Sequence, residues 1–303
     1  MKIEGLELID KASEVLLGKR NEIKLALVSL ISDGHLLIED IPGVGKTTLV
    51  YVLAKIFGLN LSRVQFTNDL LPSDILGTHI FDSKKGEFEF KKGPVFGELI
   101  LADELNRATP KTQSALLQVM EERRINLDGE EFILPRPYLV IATQNPFHQI
   151  GTFPLPESQL DRFFMSLCLD LPDREFEKKI IEQTNIREKI DSLPALLTSD
   201  QLLEWQGKVR QVKVADKLSE YVLDILQSGR QTLDEGHFLS PRAGRDLLQA
   251  ARGHCLLEGR DFVLPEDVQA VAPYVLGHRV GSMKGVKFGI NTIKSLIETV
   301  SIP

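Results

Sequence analysis

Apolar residues recur at helical spacing from the start of the chain: Leu8, Ala12, Val15 and Leu16 share one side of a helix predicted over 7–17. A second helix, rich in Ile, Leu, Ala and Val, is predicted over 20–32. His35-Leu36-Leu37-Ile38-Glu39 reads as a short buried strand and runs directly into a Pro/Gly-rich turn, after which helical spacing resumes over 46–57. Strand-like runs follow at 61–66, 98–102 and 138–142, with helix-like stretches between them, notably 111–122. This alternation predicts a parallel sheet covered on both faces by helices. Two hairpin signals interrupt it. The stretch 81–90 is charged and aromatic with Lys85-Gly86 at its centre, and 125–134 carries Asp128-Gly129, a type I′ turn pair. Beyond Leu171-Pro172-Asp173 the pattern is helical, with helices predicted over 173–185, 199–206, 216–230, 241–256 and 265–272. The expected organisation is an α/β domain over 1–171 and a smaller all-helical domain over 172–303. The tail from 277 to 303 has no readable period.

Composition changes this picture little. The 303 residues suit about two domains, and 43% hydrophobic with 26% charged residues is ordinary for a soluble protein. A net charge of -7 lacks the basic footprint of a nucleic-acid binder, so no nucleic acid is expected as a partner. No apolar run reaches the roughly 18–20 residues of a membrane span, so no membrane insertion is expected. Glu4, Glu7 and Asp10 stand where a signal peptide would be apolar, and the cytoplasm is the expected compartment. Cys168 and Cys255 read as free thiols. The histidines at 35, 79, 148, 237, 254 and 278 form no ligand pair, and Trp205 reads as core of the helical part.

Chemistry enters at Asp40-Ile41-Pro42-Gly43-Val44-Gly45-Lys46-Thr47-Thr48, between the strand at 35–39 and the helix at 46–57. Glycines let backbone N–H groups approach phosphate oxygens, and the helix N-terminus adds positive potential. Pro42, Gly43, Val44, Gly45, Lys46, Thr47 and Thr48 are therefore expected to hold a nucleotide, with Lys46 on the β- and γ-phosphates and the Thr47 hydroxyl on Mg²⁺. The strict phosphate-loop pattern has a glycine where this chain has Asp40. The apolar strand Leu99-Ile100-Leu101-Ala102 ends in Asp103 and Glu104. Asp103 is expected to hold Mg²⁺, and Glu104 to polarise the attacking water. No N-K-x-D guanine motif follows the loop, which favours ATP with GTP as the alternative.

Gly93-Pro94-Val95-Phe96 and Leu101-Ala102-Asp103-Glu104-Leu105-Asn106-Arg107-Ala108 resemble the stretch through Walker B in the MoxR family of AAA+ ATPases. Gln65-Phe66-Thr67, Leu71-Pro72-Ser73-Asp74, Ala142-Thr143-Gln144-Asn145-Pro146, Leu160-Asp161-Arg162-Phe163 and Ser240-Pro241-Arg242-Ala243 extend the likeness over about 16–280. Loops of this family tolerate an Asp such as Asp40. The resemblance implies a P-loop AAA+ sheet with flanking helices, a C-terminal helical lid, and a homo-oligomeric ring, usually a hexamer, with ATP or ADP at each subunit boundary. It implies that Asn145 is sensor 1, orienting water, and that Arg162 is an arginine finger acting on the neighbour's γ-phosphate. It implies that Arg242 is sensor 2, reaching the γ-phosphate of its own subunit, and that Leu17 and Gly18 cover the adenine. Lys46, Glu104, Asn145, Arg162 and Arg242 would then be the catalytic set. The implied activity is chaperone-like: Mg²⁺-dependent ATP hydrolysis that remodels, matures or activates a partner protein, often one with a von Willebrand factor A domain. A nucleotide-dependent scaffold and a nucleic-acid motor are the alternatives. Phe81, Phe88 and Phe90 either touch a client or pack on their own sheet. Arg123 and Arg124 either end a solvated helix or reach a neighbour's phosphates.

Overall fold

The computed structural model describes residues 5–146, 151–182, 185–233, 239–281 and 284–302. Residues 1–4, His148, His237, the end of the helix predicted over 173–185, and positions 282, 283 and 303 of the tail lie outside the described residues.

Helices α1 (Gly5–Ser13) and α2 (Arg20–Ile31) lead into strand β1 (Leu36–Glu39) and helix α3 (Lys46–Ile56). Then come β2 (Leu61–Gln65), α4 (Pro72–Leu76), β3 (Gly77–Asp82), β4 (Glu87–Lys92), β5 (Leu99–Asp103), α5 (Pro110–Glu122), β6 (Arg124–Leu127), β7 (Glu130–Ile133), β8 (Leu139–Gln144), α6 (Glu157–Leu160) and β9 (Met165–Leu167). The remaining named elements are helices: α7 (Arg174–Glu182), α8 (Ile186–Ser192), α9 (Ser199–Gln211), α10 (Asp216–Thr232), α11 (Pro241–Leu257), α12 (Pro265–Val280) and α13 (Val286–Thr299).

The main sheet has the order β2-β5-β8-β1-β9, and every pairing in it is parallel. Strand residues alternate between two apolar layers, as a pleat requires. Leu36, Ile38, Leu99, Leu101, Leu139 and Ile141 face α1, α2, α3 and the C-terminal helices. Leu37, Ile100, Ala102, Val140 and Ala142 face α5 and the first turns of α13. Burial on both faces explains why β1, β5 and β8 read as continuous apolar runs. Among the described residues, no helix is long and apolar enough to cross a membrane.

The structure departs from expectation in places with clear causes. Strand β9 was not predicted; three residues are too few to show a period, and its identity rests on pairing with β1. Helix α12 passes through Pro273, where the sequence suggested a stop at 272. Burial of Val268, Val271, Ala272, Val275 and Leu276 around the proline outweighs its missing N–H. Helices α8 and α13 were also missed. The first hairpin is longer than 81–90, pairing Gly77 with Lys92 through to Asp82 with Glu87. In the second, Asp128 and Gly129 both have positive φ, 52° and 88°, as a type I′ turn requires. The aromatics divide. Phe90 stacks on Phe132 of the other hairpin, whereas Phe81 and Phe88 form an edge-to-face pair that is largely exposed. Arg123 pairs with Asp33 and Arg124 with Glu131.

Two buried histidines bind the layers. Val140 N–H donates to His35 Nδ1, so Nε2 carries the proton and donates to the Met120 carbonyl. Burial, reinforced by Arg123, pushes the His35 pKa down from 6.5 to about 4. Burial also pushes His278, which bonds Phe163 O and Ser166, well below its ordinary value. A folded-state pKa below the unfolded one means the unfolded chain binds more protons under acid. Stability is therefore expected to be intact above pH 6.5 and to fall as pH drops toward 4, His35 contributing on the order of 3 kcal/mol at the end of that window. Chemical unfolding across this range checks it: His35→Gln should lose less stability toward pH 4 than the parent, and equal slopes would refute the assignment.

Candidate active site

All the chemistry-bearing loops leave the C-terminal edge of the parallel sheet. The phosphate loop begins where β1 ends. Gly43 and Gly45 have φ of 88° and 97°, a left-handed backbone that only glycine adopts without strain and that turns successive N–H groups inward as an anion nest. Gly45 is also the N-cap of α3, so the unpaired N–H groups of the first helical turn open onto the same hollow. A Cβ on Gly45 would lie 3.1 Å from Leu16 Cδ1, which sets the 16–18 segment against the loop. Leu17 is half-buried, and Gly18, at φ 71°, is overlaid by the Phe176 ring. Pro42 is exposed, and Thr47 and Thr48 are half-buried at the start of α3.

Lys46 donates to the carbonyls of Asp40 and Ile41. Burial pushes its pKa down, opposed by the negative fields of Asp40, Asp103, Glu104 and Glu39. The expected acid pair therefore stands beside the loop lysine. Thr143 on β8 organises that pair: its hydroxyl donates to Asp103 Oδ1 at 2.7 Å and accepts from Glu104 N–H at 2.9 Å. Glu104 has a left-handed backbone, φ 57°. Its carboxylate accepts from Gln65 Nε2 at 2.7 Å and Asn145 Nδ2 at 3.2 Å, and pairs with Arg107 at 3.2 Å. Asn106 donates to the Asn145 carbonyl at 3.0 Å and steadies that loop. Asp103 Oδ2 pairs with Arg63 at 2.8 Å.

The donor set suits Mg²⁺. The Thr47 hydroxyl and the Asp103 carboxylate are hard oxygens, and the guanidinium already at Asp103 marks a point where positive charge is favoured. Sequence reasoning missed Arg63, Gln65, Thr143 and Asn106. Arg63 and Gln65 are two apart on β2, so they share a face, and Gln65 is in register with Asp103. Polar residues at that spacing beside an acid-ended strand were the available signal.

Asp40 has a structural task. One carboxylate oxygen accepts from Ile41 N–H at 2.8 Å, the other from Asp170 N–H at 2.6 Å, joining the loop to the chain after β9. Glu39 next to it is buried, with its carboxyl pKa pushed up by that burial. It accepts from Gln144 Nε2 at 2.6 Å and from Val286 N–H at 2.7 Å, the first residue of α13.

The two expected arginines lie elsewhere. Helix α5 starts just after the acid pair and runs back about 20 Å to the N-terminal edge of the sheet, where Met120 meets His35 and Arg123 meets Asp33. Near that end Glu121 takes both Arg162, at 2.9 Å, and Arg242, at 3.1 Å. Arg162 also donates to Leu117 O at 3.0 Å. The resemblance has Arg242 reach the phosphate of its own subunit, whereas here its guanidinium pairs with Glu121. The start of α11 is anchored to the N-terminal edge through Ser240 and Asp161, with the sheet between Arg242 and its own phosphate loop. The structure thus brings together Lys46, Asp103, Glu104 and Asn145 around the loop, and separately brings together Arg162 and Arg242.

Comparison with known proteins agrees with this architecture. Residues 35–165 match the family described as ATPase family associated with various cellular activities (AAA), and residues 236–292 match the AAA lid domain. An uncharacterized Bacillus subtilis protein, YeaC, is 40% identical over 97% of this chain and 93% of its own. Chaperone MoxR1 of Mycobacterium tuberculosis is 39% identical over 90% of this chain and 74% of its own, and protein MoxR of Paracoccus denitrificans is 33% identical over 88% and 85%. A crystal structure of a Cytophaga hutchinsonii protein superposes with a TM-score of 0.84 at 35% identity, covering 98% of this chain and 94% of the other.

Asp40→Gly would restore the strict phosphate-loop pattern but strip two N–H groups of their acceptor. It should destabilise the protein by about 1–3 kcal/mol, with Asp40→Asn losing less. Urea unfolding of the three proteins decides this; a Gly variant as stable as the parent would show the carboxylate to be dispensable.

Proposed function

The chain belongs to the MoxR family of AAA+ ATPases, and on that premise we propose that it binds ATP with Mg²⁺ and hydrolyses it at the boundaries between identical subunits of a ring. One observation carries this reading. The phosphate loop and acid pair occupy one edge of the sheet, and Arg162 with Arg242 the other. A site with all of these groups needs two copies in head-to-tail contact, and such contacts generate rings when the rotation closes. Six subunits is the ring size we propose. We divide the chain into a nucleotide domain over 1–171 and a lid over 172–303.

In the proposed reaction, water attacks the γ-phosphate in line with the departing ADP. Loop N–H groups and Lys46 hold the phosphates, and Leu17 and Gly18 lie against the adenine. Mg²⁺, when bound through Thr47 and Asp103, neutralises phosphate charge. Glu104 takes the proton of the attacking water, and Asn145 holds the Glu104 carboxylate toward it. Arg162 and Arg242 of the adjoining copy stabilise the charge that develops on the transferred group.

The work done by hydrolysis is remodelling of a partner protein, as the name of the relative Chaperone MoxR1 suggests. We propose a client of the von Willebrand factor A type, contacted through the exposed Phe81 and Phe88 of the first hairpin, and the cytoplasm as the compartment.

Steady-state hydrolysis across a protein concentration series tests the proposal. Turnover should rise more than linearly with protein. Glu104→Gln should keep ATP binding and lose about 10²-fold or more in turnover. Arg162→Ala and Arg242→Ala should each lose on the order of 10²–10³-fold while binding ATP normally as separate subunits. Turnover strictly linear in protein, or an Arg242→Ala variant that loses ATP affinity as a monomer, would overturn the shared site. ATP binding without turnover at any concentration would favour a nucleotide-dependent scaffold.

A further inference from the structure

Arg279 on α12 is almost wholly buried, yet it touches no part of the phosphate-loop site. Its Nε donates to Asp161 Oδ1 at 2.7 Å and its Nη2 to Asp246 Oδ2 at 2.6 Å. The same guanidinium donates to the carbonyls of Phe163, at 3.2 Å, and Val275. Asp161 immediately precedes Arg162, and Asp246 lies one helical turn after Arg242, on the same face of α11. One buried cation therefore grips the chain at the base of each of these half-buried arginines. Burying a guanidinium against two half-buried carboxylates is a poor route to stability, since apolar side chains of similar volume would serve as well. What a planar guanidinium does supply is a fixed angle between two carboxylates.

The spacing it fixes is informative. Arg162 and Arg242 meet separate oxygens of one carboxylate, Glu121 Oε2 and Oε1. Two guanidinium groups set to span a single carboxylate are also set to span two oxygens of one phosphoryl group. We propose that Arg279 is a positioning residue that sets the spacing of Arg162 and Arg242, so that both address one phosphate of the neighbouring subunit. Glu121 is the internal anion that the pair exchanges for that phosphate. The proposal rests on the reading that both arginines act across the subunit boundary, and deepens it by assigning the group that aligns them.

The test uses mixed rings. Arg162→Ala subunits keep their base but lack the finger, and Glu104→Gln subunits keep the finger but lack the base, so mixing them should restore hydrolysis above either alone. Absence of restoration would refute the shared site itself, before Arg279 is touched, and the present proposal with it. Arg279→Lys is then added to one side at a time. A lysine keeps the charge but cannot grip two carboxylates at a fixed angle. On the Glu104→Gln side, which donates the arginines, it should reduce restored activity by about tenfold or more, as a displacement of roughly 1 Å does. On the Arg162→Ala side it should leave the restored activity within about twofold. Asp246→Asn should give the same one-sided loss more mildly. Equal effects on the two sides, or none, overturn the proposal. So does failure of both variants to enter rings by native mass spectrometry, since the clamp would then hold the fold rather than a spacing.

Discussion

Every strand of the main sheet runs the same way, and the rest of the molecule follows from that constraint. Parallel strands gather all their C-terminal ends on one edge. That edge receives the phosphate loop after β1, the acid pair after β5 and Asn145 after β8, although these segments are about forty to sixty residues apart in sequence. Crossover helices then carry the chain back, so whatever follows them emerges at the opposite edge. Helix α5 delivers Glu121 there, and the turn before β9 delivers Arg162. A single chain of this topology separates the phosphate-loop residues and the acid pair from Arg162 and Arg242. The separation is built into strand direction and needs no further device.

Joining the helical C-terminal part to this sheet takes two kinds of contact. One is apolar and continuous: the layer containing Leu36, Leu101 and Ile141 runs without a break into Leu247, Val271 and Leu276. The other is polar and local. Glu39, at the root of the phosphate loop, accepts from the first N–H of α13, and Gly285 makes the approach possible, since a Cβ there would lie 2.9 Å from the Glu39 carboxylate. A carboxylate at a helix N-terminus meets both unpaired N–H groups and the positive end of the helix dipole. Asp40 likewise accepts an N–H, that of Asp170 in the loop after β9. Consecutive acidic residues thus connect the loop to two distant parts of the chain, one in the helical region and one leading into it. The end of β1 meets α13 directly through Glu39 and Val286, and indirectly through Asp40, Asp170 and Lys287.

Legibility followed the range of the interactions. The sheet strands β1, β5 and β8 were readable because burial on both faces leaves a continuous apolar run. The phosphate loop and the acid pair were readable because their chemistry is contiguous in sequence. Helix α13 was not, because its N-terminus is determined by Gly285 and by Glu39, some 250 residues earlier. The setting of Arg242 beside Glu121 was illegible for the same reason. Nothing local distinguishes an arginine at a helix start that faces its own nucleotide from one that faces away; only Asp161, Ser240 and Arg279 reveal which edge it occupies. Arg63 and Gln65 were passed over because two polar residues on an edge strand ordinarily face solvent, and only the register with β5 gives them a partner.

The acid pair brings the local and long-range constraints together. Glu104 holds a left-handed backbone, which costs a non-glycine residue on the order of 1 kcal/mol. Thr143 stabilises it by accepting the Glu104 N–H while donating to Asp103, so one hydroxyl sets the angle between the two carboxylates. That angle turns Asp103 toward the loop lysine's field and Glu104 toward Asn145. Gln65 and Arg107 then limit where the Glu104 carboxylate can point. In the proposed role of base, Glu104 would gain more from a restricted direction than from a raised proton affinity, because phosphoryl transfer is governed by positioning and charge. The left-handed residue, the threonine and the edge-strand glutamine are therefore parts of one directional device. They are assembled from three neighbouring strands, and parallel register is what brings their ends together.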